Sequence, residues 1–323
     1  MDINLTDKNT SIEFYEHRYS DGYMEEWPAK KKQRVLEILK NLPLPETGDA
    51  LDFGCGNGIF TDVIKQALPQ WNVYGTDISQ VAIDNAREKF SRCIFFVSSD
   101  EKFASKKFDF LFTHHVLEHV YNLFEVWEQM QGFSQEKSWM LHILPCGNEG
   151  SFEHQLASLV KNDANSEKEN CYFFEEPGHL RRLNTEKFTS IAAKYNFKLV
   201  IDYYANQYYG ALDWIMDEAV KYIIELGNPP LQAKDNLSKI KLLFIIAKLL
   251  VLYIIRYPAL ILETAREDRR KSLKHFCWFI LLMILYPFSW VVNSNFEKKV
   301  AEEWKNRKRD KNGSEMYLFF EKT

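Results

Sequence analysis

The chain has 323 residues, of which 46% are hydrophobic and 27% are charged, and its formal net charge is -4. This apolar content excludes a disordered chain, and the length allows one large α/β domain with an elaboration, or two domains. Five cysteines, an odd number with no CxxC pair, argue against a disulfide framework or zinc site and favour a reducing cytosol. The N-terminal segment has no apolar run behind a basic start, so we predict no secretory signal there.

Short apolar runs alternate with amphipathic segments along the first two thirds of the chain. The amphipathic segments predict helices at residues 27–42, 59–68, 80–90, 116–130 and 185–195. The apolar runs predict strands at residues 50–53, 72–76, 93–97, 108–113, 139–144, 197–202 and 315–321. This order predicts an α/β fold with a doubly wound, mostly parallel, seven-stranded Rossmann-like sheet. An inserted apolar helical hairpin would precede the last strand.

Glycines cluster between the first predicted strand and the helix that follows it. Gly54, Gly56 and Gly58 stand in the sequence LDFGCGNG, residues 51–58. Such glycines permit a sharp turn and close approach of the backbone to a ligand, and the helix N-terminus offers free N–H groups. The spacing is GxGxG, with Ile59 where a dinucleotide-binding GxGxxG loop needs its last glycine. The large Ile argues against a pyrophosphate site.

Polar residues follow the next two strands at the points where these strands end. Asp77 closes the second strand, where a carboxylate can accept hydrogen bonds from two ribose hydroxyls. Ser99 and Asp100 follow the third strand, where they can meet an adenine edge. Either aspartate alone could simply cap the next helix. Together with the glycine loop, in this order and at strand ends, they predict a site for an adenosyl cofactor.

These motifs resemble the class I S-adenosylmethionine-dependent methyltransferases, in particular small-molecule enzymes related to the ubiquinone-biosynthesis O-methyltransferases. The resemblance covers about residues 10–205 and the last strand, and it includes HVLEHV (115–120) and GHLRRLNTEKF (178–188). It implies an enzyme with S-adenosyl-L-methionine as cofactor, in which Asp52 positions the methionyl amine and Asp77 holds the ribose. The cofactor-binding residues that we predict are Asp52, Gly54, Cys55, Gly56, Asn57, Gly58, Asp77, Ile78, Ser99, Asp100 and His114.

Candidate catalytic residues lie after the fourth strand. Methyl transfer from a sulfonium needs an aligned acceptor and, for a hydroxyl, removal of its proton. His115, Glu118 and His119 are spaced i, i+3 and i+4, so they would share one face of the predicted helix, and histidine is the natural base near neutral pH. One alternative is that Glu118 and His119 only orient the loop. Another is a metal site, which some ubiquinone-type relatives have here; His115 replaces their first Glu, and we predict no metal.

Residues 146–177 predict a polar excursion on the substrate side of the sheet. His179, close behind it, is a second candidate for the catalytic base. Arg181 and Arg182 are candidates for holding a phosphate or carboxylate of the substrate. The alternative for both arginines is a surface position before a helix cap.

Residues 240–262 and 276–292 are two long apolar segments. A spanning helix needs about 20 mainly apolar residues; the first segment carries three basic residues, and the second has only 17 residues with a proline inside. We predict a helical hairpin that enters the cytoplasmic leaflet without crossing it. Aromatic residues typical of a membrane interface accompany the segments: Tyr253, Tyr257, Trp278, Tyr286 and Trp290. Basic residues that would contact anionic lipids lie between them: Arg266, Arg269, Arg270, Lys271 and Lys274. The alternative is a soluble helical lid or a dimer interface.

The predicted domain organisation is a methyltransferase domain over residues 1–210, completed by 313–323, and a helical insert over 211–312. Residues 234–311 hold 17 basic against 8 acidic residues, which suits an anionic membrane surface. We therefore predict methyl transfer, on oxygen, to a small-molecule or lipid-linked acceptor, by a cytoplasmic protein that is peripheral or monotopic on the inner face of the membrane. A non-catalytic cofactor-binding module is the alternative. No nucleic-acid partner is predicted, because the basic run at 305–309 resembles a solvated loop or lipid contact.

Overall fold

The computed structural model describes residues 8–161, 171–172, 174–175, 178–217, 232–268 and 270–323. Its helices are α1 (Lys8–Ser20), α2 (Ala29–Lys40), α3 (Ile59–Ala67), α4 (Gln80–Lys89), α5 (Leu123–Phe133), α6 (Phe152–Ala157), α7 (Thr185–Lys194), α8 (Tyr209–Asp217), α9 (Asn236–Asp268) and α10 (Leu273–Arg307). Its strands are β1 (Asp49–Phe53), β2 (Asn72–Asp77), β3 (Ile94–Val97), β4 (Phe108–His114), β5 (Ser134–Pro145), β6 (Phe197–Ala205) and β7 (Glu315–Lys322).

The strands form one seven-stranded sheet in the order β3-β2-β1-β4-β5-β7-β6. Strand β7 is antiparallel to both of its neighbours, and the other strand pairs are parallel. The predicted mostly parallel Rossmann-like sheet is thereby confirmed. The direction of winding reverses between β1 and β4, and at such a switch point the carboxyl ends of the strands frame a ligand-binding crevice.

The central strands read as continuous apolar runs because helices cover both faces of the sheet. Phe110 and Phe112 of β4 pack into the core on one face, together with Trp71. Leu111, between them, points to the other face and packs in the core that contains Trp127. All five of these side chains are at most 1% exposed, so the two cores fix the register of β4.

The helix predicted over residues 116–130 begins later, at Leu123, and that prediction is therefore wrong at its start. His115 has a left-handed backbone with φ 53°, which interrupts any helix directly after β4. Asn122 then caps α5, because its side-chain oxygen accepts a hydrogen bond from the Glu125 N–H at 3.2 Å. Residues 115–122 form a turn in which the His119 N–H donates to the Val116 carbonyl at 3.0 Å.

Two further elements differ from the sequence prediction. Helix α1 was not predicted, because its apolar residues show almost no helical periodicity. The polar excursion after β5 contains the short helix α6, which begins at the cap Ser151. Within the excursion, residues 162–170, 173, 176 and 177 lie outside the described residues.

The apolar segments form a helical hairpin of α9 and α10 directly before β7, as predicted. Both helices are long and apolar enough to cross a membrane, and only 17% and 11% of the residues in their most apolar windows are buried. This length and composition give only weak evidence for a membrane.

A polar contact joins the two hairpin helices at Pro258, which lies inside the continuous helix α9. Pro258 has no N–H, so the backbone bonding of α9 is disturbed there. Ser289 of α10 repairs it, because its hydroxyl accepts from the Ala259 N–H at 3.0 Å and donates to the Arg256 carbonyl at 3.1 Å. Ser289 is 1% exposed, so this contact fixes the crossing of the two helices.

Candidate active site

A cavity of about 1290 Å³ opens at the carboxyl ends of the parallel strands. Its walls include residues that directly follow β1, β2, β3 and β4, which is the position expected from the strand order. Pockets for one small ligand usually have about 300–1,000 Å³. The cavity therefore has room for a cofactor and a second molecule.

The glycine loop forms the floor of the cavity. Gly54, Gly56 and Gly58 have φ angles of 77°, 50° and 81°, which a side chain would make costly. The N–H groups of Gly54 and Cys55 donate to the Thr76 carbonyl at 2.8 and 2.9 Å, and the Gly58 N–H donates to the Cys55 carbonyl at 3.0 Å. These loop amides therefore have partners inside the protein. The free N–H groups predicted for the N-terminus of the helix, which begins at Ile59, stay a prediction.

Asp77 is bound to this loop directly. One of its carboxylate oxygens accepts from the Gly56 N–H at 2.9 Å, and the other accepts from the Ser79 N–H at 3.0 Å. Burial raises the pKa of Asp77 above its usual value, although these N–H groups oppose the shift. The carboxylate lies in the cavity wall, where it can accept hydrogen bonds from a ligand.

Asp52 is a second buried carboxylate in the cavity wall, and it is 1% exposed. Burial raises its pKa to about 7, while a hydrogen bond from the Thr61 hydroxyl at 2.6 Å opposes the rise. Asp52 therefore changes charge near neutral pH. A cationic amine placed against it would favour the charged form.

The other predicted cofactor residues are placed around the same cavity, except for Gly58. Gly58 is the N-cap residue directly before α3 and is not part of the cavity wall. Asp100 accepts a hydrogen bond from the Lys102 N–H at 3.0 Å, so it also caps the short 3-10 helix Glu101–Phe103. His114 stacks on Phe60 with ring centroids 3.8 Å apart. The predicted cofactor residues that line the cavity are Asp52, Gly54, Cys55, Gly56, Asn57, Asp77, Ile78, Ser99, Asp100 and His114.

Helix α1 closes the cavity over the glycine loop. A Cβ atom at Gly56 would lie 2.7 Å from the Tyr19 hydroxyl, so α1 is seated directly on the loop. Glu16 holds α1 there, because its carboxylate accepts from the Gln80 N–H at 2.7 Å and from the Ser79 hydroxyl at 3.0 Å. This wall completes the part of the cavity next to Asp77.

His115 lies between two carboxylates. Its Nδ1 is 2.8 Å from Glu118 Oε1, and its Nε2 is 3.0 Å from Glu315 Oε1. Burial opposes a charged imidazole, but the two carboxylates raise the pKa of His115 above its usual value. Burial likewise opposes a charged Glu118, yet His115 lowers the pKa of that carboxyl to about 2. Lys31, an ion-pair partner of Glu315, has its pKa lowered by burial to about 8.

Glu118, His119 and His179 each bring one possible ligand atom within 4.8 Å of the others. His119 Nδ1 is 3.1 Å from the Gly178 carbonyl oxygen, and His179 Nδ1 is 2.7 Å from a Glu175 carboxylate oxygen. Carbonyl and carboxylate partners of this kind orient histidines that bind metals. These three residues, rather than the predicted alternative set with His115, have the donor types and spacing that could hold a transition metal.

Arg181 and Arg182, which follow His179 closely in sequence, donate their hydrogen bonds to other groups of the protein. Arg182 is 3% exposed and donates to Glu153 at 2.7 Å and to Glu175 at 2.8 Å. Arg181 donates to backbone carbonyls of the turn 117–121. The hypothesis that this pair holds a substrate phosphate or carboxylate is therefore wrong. The arginines fix the turn and the excursion that carry the candidate catalytic residues.

The sequence analysis missed several side chains of the cavity wall. Tyr19 comes from α1, which has almost no helical periodicity, and Trp27 stands at the start of the helix predicted over residues 27–42. Glu315 comes from β7, far along the chain. Arg256 and Leu260 come from α9, which the sequence marks only as apolar. These residues come close to the glycine loop only through long-range packing. A local sequence pattern therefore does not predict that they line the cavity.

Residues 15–201 match a protein-family model described as a methyltransferase domain. The chain is 33% identical over 69 residues to the trans-aconitate 2-methyltransferase of Variovorax paradoxus, which covers 21% of this chain and 27% of that protein. It is 26% identical over 167 residues to malonyl-[acyl-carrier protein] O-methyltransferase 2 of Ilyobacter polytropus, covering 49% of this chain and 63% of the relative. The chain thus spans less than two thirds of the length of both relatives.

Solved structures with a similar arrangement include the plantazolicin methyltransferase BpumL in complex with a desmethylplantazolicin analogue and SAH. It has a TM-score of 0.43 at 18% identity and covers 64% of this chain and 78% of that one. An S-adenosylmethionine-dependent methyltransferase from Archaeoglobus fulgidus has a TM-score of 0.39 at 19% identity, with coverage of 55% and 70%.

Proposed function

This chain belongs to the family of methyltransferase domains, and we propose that it uses S-adenosyl-L-methionine as its methyl donor. The acceptor in this proposal is a small molecule or a lipid-linked group, methylated on oxygen at a membrane surface. One observation carries the proposal: the Gly56 N–H binds Asp77, so the glycine loop and the carboxylate after β2 form a single site.

The cofactor in this proposal lies across the glycine loop. The Asp77 carboxylate accepts hydrogen bonds from the ribose hydroxyls, and Ser99 and Asp100 face the adenine. Asp52 faces the methionyl amine, whose positive charge stabilises the carboxylate against its raised pKa. When bound, the cofactor supplies the methyl group as a sulfonium, and the chain aligns the acceptor for in-line attack.

His179 is the best candidate for the base that removes the acceptor proton. The Glu175 carboxylate holds its Nδ1 at 2.7 Å, which leaves Nε2 as the ring nitrogen that can take a proton. His179 lines the cavity, as does His119, whose ring centroid is 4.6 Å away. A carboxylate that orients a histidine in this way also stabilises the imidazolium that proton transfer creates.

His115 has a different role in this proposal. Both of its ring nitrogens face carboxylates, so the charged imidazolium has no lone pair for an acceptor proton. We assign it the task of tying the turn after β4 to Glu315 on β7. Glu118 holds the other side of the ring and orients it.

The membrane component of the proposal is supported by the hairpin α9–α10. Large apolar side chains remain exposed along both helices, among them Phe244 at 73% and Ile284 at 70%. Monomeric soluble proteins rarely expose a continuous apolar patch of this kind. The name of the Ilyobacter relative specifies O-methylation, which is the chemistry proposed for this chain.

The cofactor assignment is tested by titrating S-adenosylhomocysteine, the demethylated product, into the full-length protein in a calorimeter. We expect binding, and we expect Asp77→Asn to weaken it about 30-fold, because a charge-assisted hydrogen bond contributes roughly 2 kcal/mol. Asp84→Asn, at an exposed carboxylate on α4, is the matched control and leaves the affinity unchanged. No measurable affinity in the wild type rejects the assignment.

The acceptor is sought by incubating the protein with isotopically labelled S-adenosyl-L-methionine and membrane lipid extract, followed by mass spectrometry. We expect a labelled methyl ester or ether in the lipid fraction. Label that appears only in the water-soluble fraction argues against a lipid-linked acceptor. Replacement of His179 by Gln lowers the rate about 100-fold or more if it is the base, with cofactor affinity retained.

A further inference from the structure

Arg256 is a buried cation with one donor nitrogen unused. It is 1% exposed and lies in the apolar segment of α9, which also carries Lys241 and Lys248. Its Nε donates to Asn293 at 2.7 Å, and its Nη2 donates to Asp213 at 2.6 Å. Its Nη1 is also buried, yet it has no hydrogen-bond partner among the described residues. A buried N–H donor left without an acceptor destabilises the protein, so a ligand oxygen at this point would remove that cost.

The position of Arg256 is fixed on every side. Its planar guanidinium lies over the aromatic ring of Phe296 on α10, with the Arg256 Cζ atom 4.3 Å from the centroid of that ring. Its backbone carbonyl is held by the Ser289 hydroxyl. Asp213 is shared with Lys30, whose Nζ is 3.3 Å from Oδ2 and 3.2 Å from a Glu297 oxygen. A donor held this firmly is preorganised for binding, because little side-chain freedom remains to be lost.

Arg256 belongs to the wall of the same cavity that contains the glycine loop. Lys30, Asp213 and Glu297 line that wall beside it. The adjoining part of the wall is apolar and partly open, because Trp214 is 40% exposed and Leu260 is 37% exposed. Leu260 is also one of the exposed apolar residues of the hairpin, so the cavity is continuous with the hairpin surface.

We infer that Arg256 and Lys30 bind the anionic head group, a carboxylate or phosphate, of an amphiphilic acceptor whose apolar part leaves the cavity past Leu260 and Trp214. The inference rests on the proposed function and names its substrate class. A charged guanidinium binds an oxyanion more strongly than a neutral oxygen. The hairpin then builds part of the acceptor site, in addition to contacting the membrane.

The test uses four ten-carbon amphiphiles below their micelle concentrations: decanoate, decyl phosphate, 1-decanol and decyltrimethylammonium. Each is titrated calorimetrically into the full-length protein saturated with S-adenosylhomocysteine. We expect decanoate or decyl phosphate to bind at least about tenfold more tightly than decanol, and the ammonium compound to bind weakest. Equal affinities for the anionic and neutral compounds overturn the inference.

Arg256→Gln removes the charge and the unused donor, and we expect it to abolish the preference for the anionic head groups while decanol binding is retained. Lys30→Gln is a second variant at a half-exposed position, which avoids the risk that loss of a buried ion pair unfolds the protein. It should weaken anion binding about threefold. Lys198→Gln, at an exposed position on β6 outside the cavity wall, is the control and changes nothing. An equal loss in Lys198→Gln indicates non-specific attraction and rejects the assignment to Arg256.

Failure of this inference is distinguishable from failure of the proposed function. The same protein samples are titrated with S-adenosylhomocysteine alone. Cofactor binding without a preference for anionic amphiphiles leaves the methyltransferase proposal intact and removes only the acceptor class. Absence of cofactor binding rejects the proposed function, whatever the amphiphiles do.

Discussion

Strand β7 and the hairpin α9–α10 are similarly apolar in sequence, but they bury their side chains very differently. From Met316 to Phe320, every side chain of β7 is at most 1% exposed, because the strand lies between β5 and β6 and under helices on both faces. On the hairpin, Phe244, Ile284 and Phe288 are between 66% and 73% exposed. Apolar sequence alone therefore does not determine burial; a partner surface does. The sheet has its partner within the chain, and we propose that the hairpin has the membrane as its partner.

The largest effect that we expect comes from adding one methyl group in the enclosed region. Gly54→Ala places a Cβ 2.5 Å from a Val116 methyl carbon, at a φ of +77°. We expect a loss of roughly 3 kcal/mol in the free energy of unfolding, measured in urea. We also expect about a hundredfold loss of S-adenosylhomocysteine affinity (roughly 3 kcal/mol of binding free energy), because the loop must shift out of the position in which its backbone approaches the ligand.

Gly132→Ala is the matched control for this substitution. Gly132 lies in α5, and a Cβ atom there meets nothing within 4 Å. Alanine should stabilise the helix by roughly 0.5–1 kcal/mol. If Gly54→Ala were tolerated as well as Gly132→Ala, the contrast between a tight interior and a permissive surface would fail.

A second substitution tests the exposed region. Ile284→Ser combined with Phe288→Ser removes two side chains that have no partner surface in the described protein. We expect almost no change in unfolding free energy, but at least about a tenfold loss of binding to vesicles that contain anionic lipid, because each inserted side chain contributes roughly 1.5 kcal/mol or more. Co-sedimentation of the protein with the vesicles measures the loss of binding.

The control for the hairpin pair is Val200→Ser, at a 48% exposed apolar position on β6, outside the two hairpin helices. It should leave vesicle binding unchanged. Stability that collapses in the double variant would mean that the hairpin is covered by protein, as in a lid or a dimer. That result would favour the soluble alternative over the membrane.

The smallest expected effect is a pH dependence that only the enclosed region can produce. Burial raises the pKa of Asp52 to about 7, so the neutral form predominates below that pH. Affinity for S-adenosylhomocysteine should fall by up to about tenfold per pH unit below 7 and be constant above it, because the amine binds the carboxylate. Asp52→Asn should give a flat profile. The raised pKa of Asp52 also means that the protein without ligand should lose stability as pH rises from about 4 through 7. An affinity for S-adenosylhomocysteine that still falls below pH 7 in Asp52→Asn would assign the titration to another group.

Most of the sheet was predictable because strands buried on both faces leave apolar runs, and glycines at strand ends are visible in any sequence. Asp77 and Gly56 were placed together by the same logic. The start of α5 was not predictable, since it depends on the backbone of His115, which long-range contacts with Glu315 fix. The role of Arg182 was misjudged because one acidic partner, Glu153, is distant in sequence, and the other, Glu175, lies in the polar excursion.

The position of β7 between β5 and β6 has a consequence for biosynthesis. During translation β5 and β6 are complete long before residues 315–322 leave the ribosome, and β5 cannot gain its final neighbour until then. The hairpin leaves the ribosome earlier than β7. It can therefore reach a lipid surface before Glu315 has been synthesised and has formed its contact with His115. If the hairpin binds the membrane as we propose, the nascent chain reaches that surface before its candidate active site is complete.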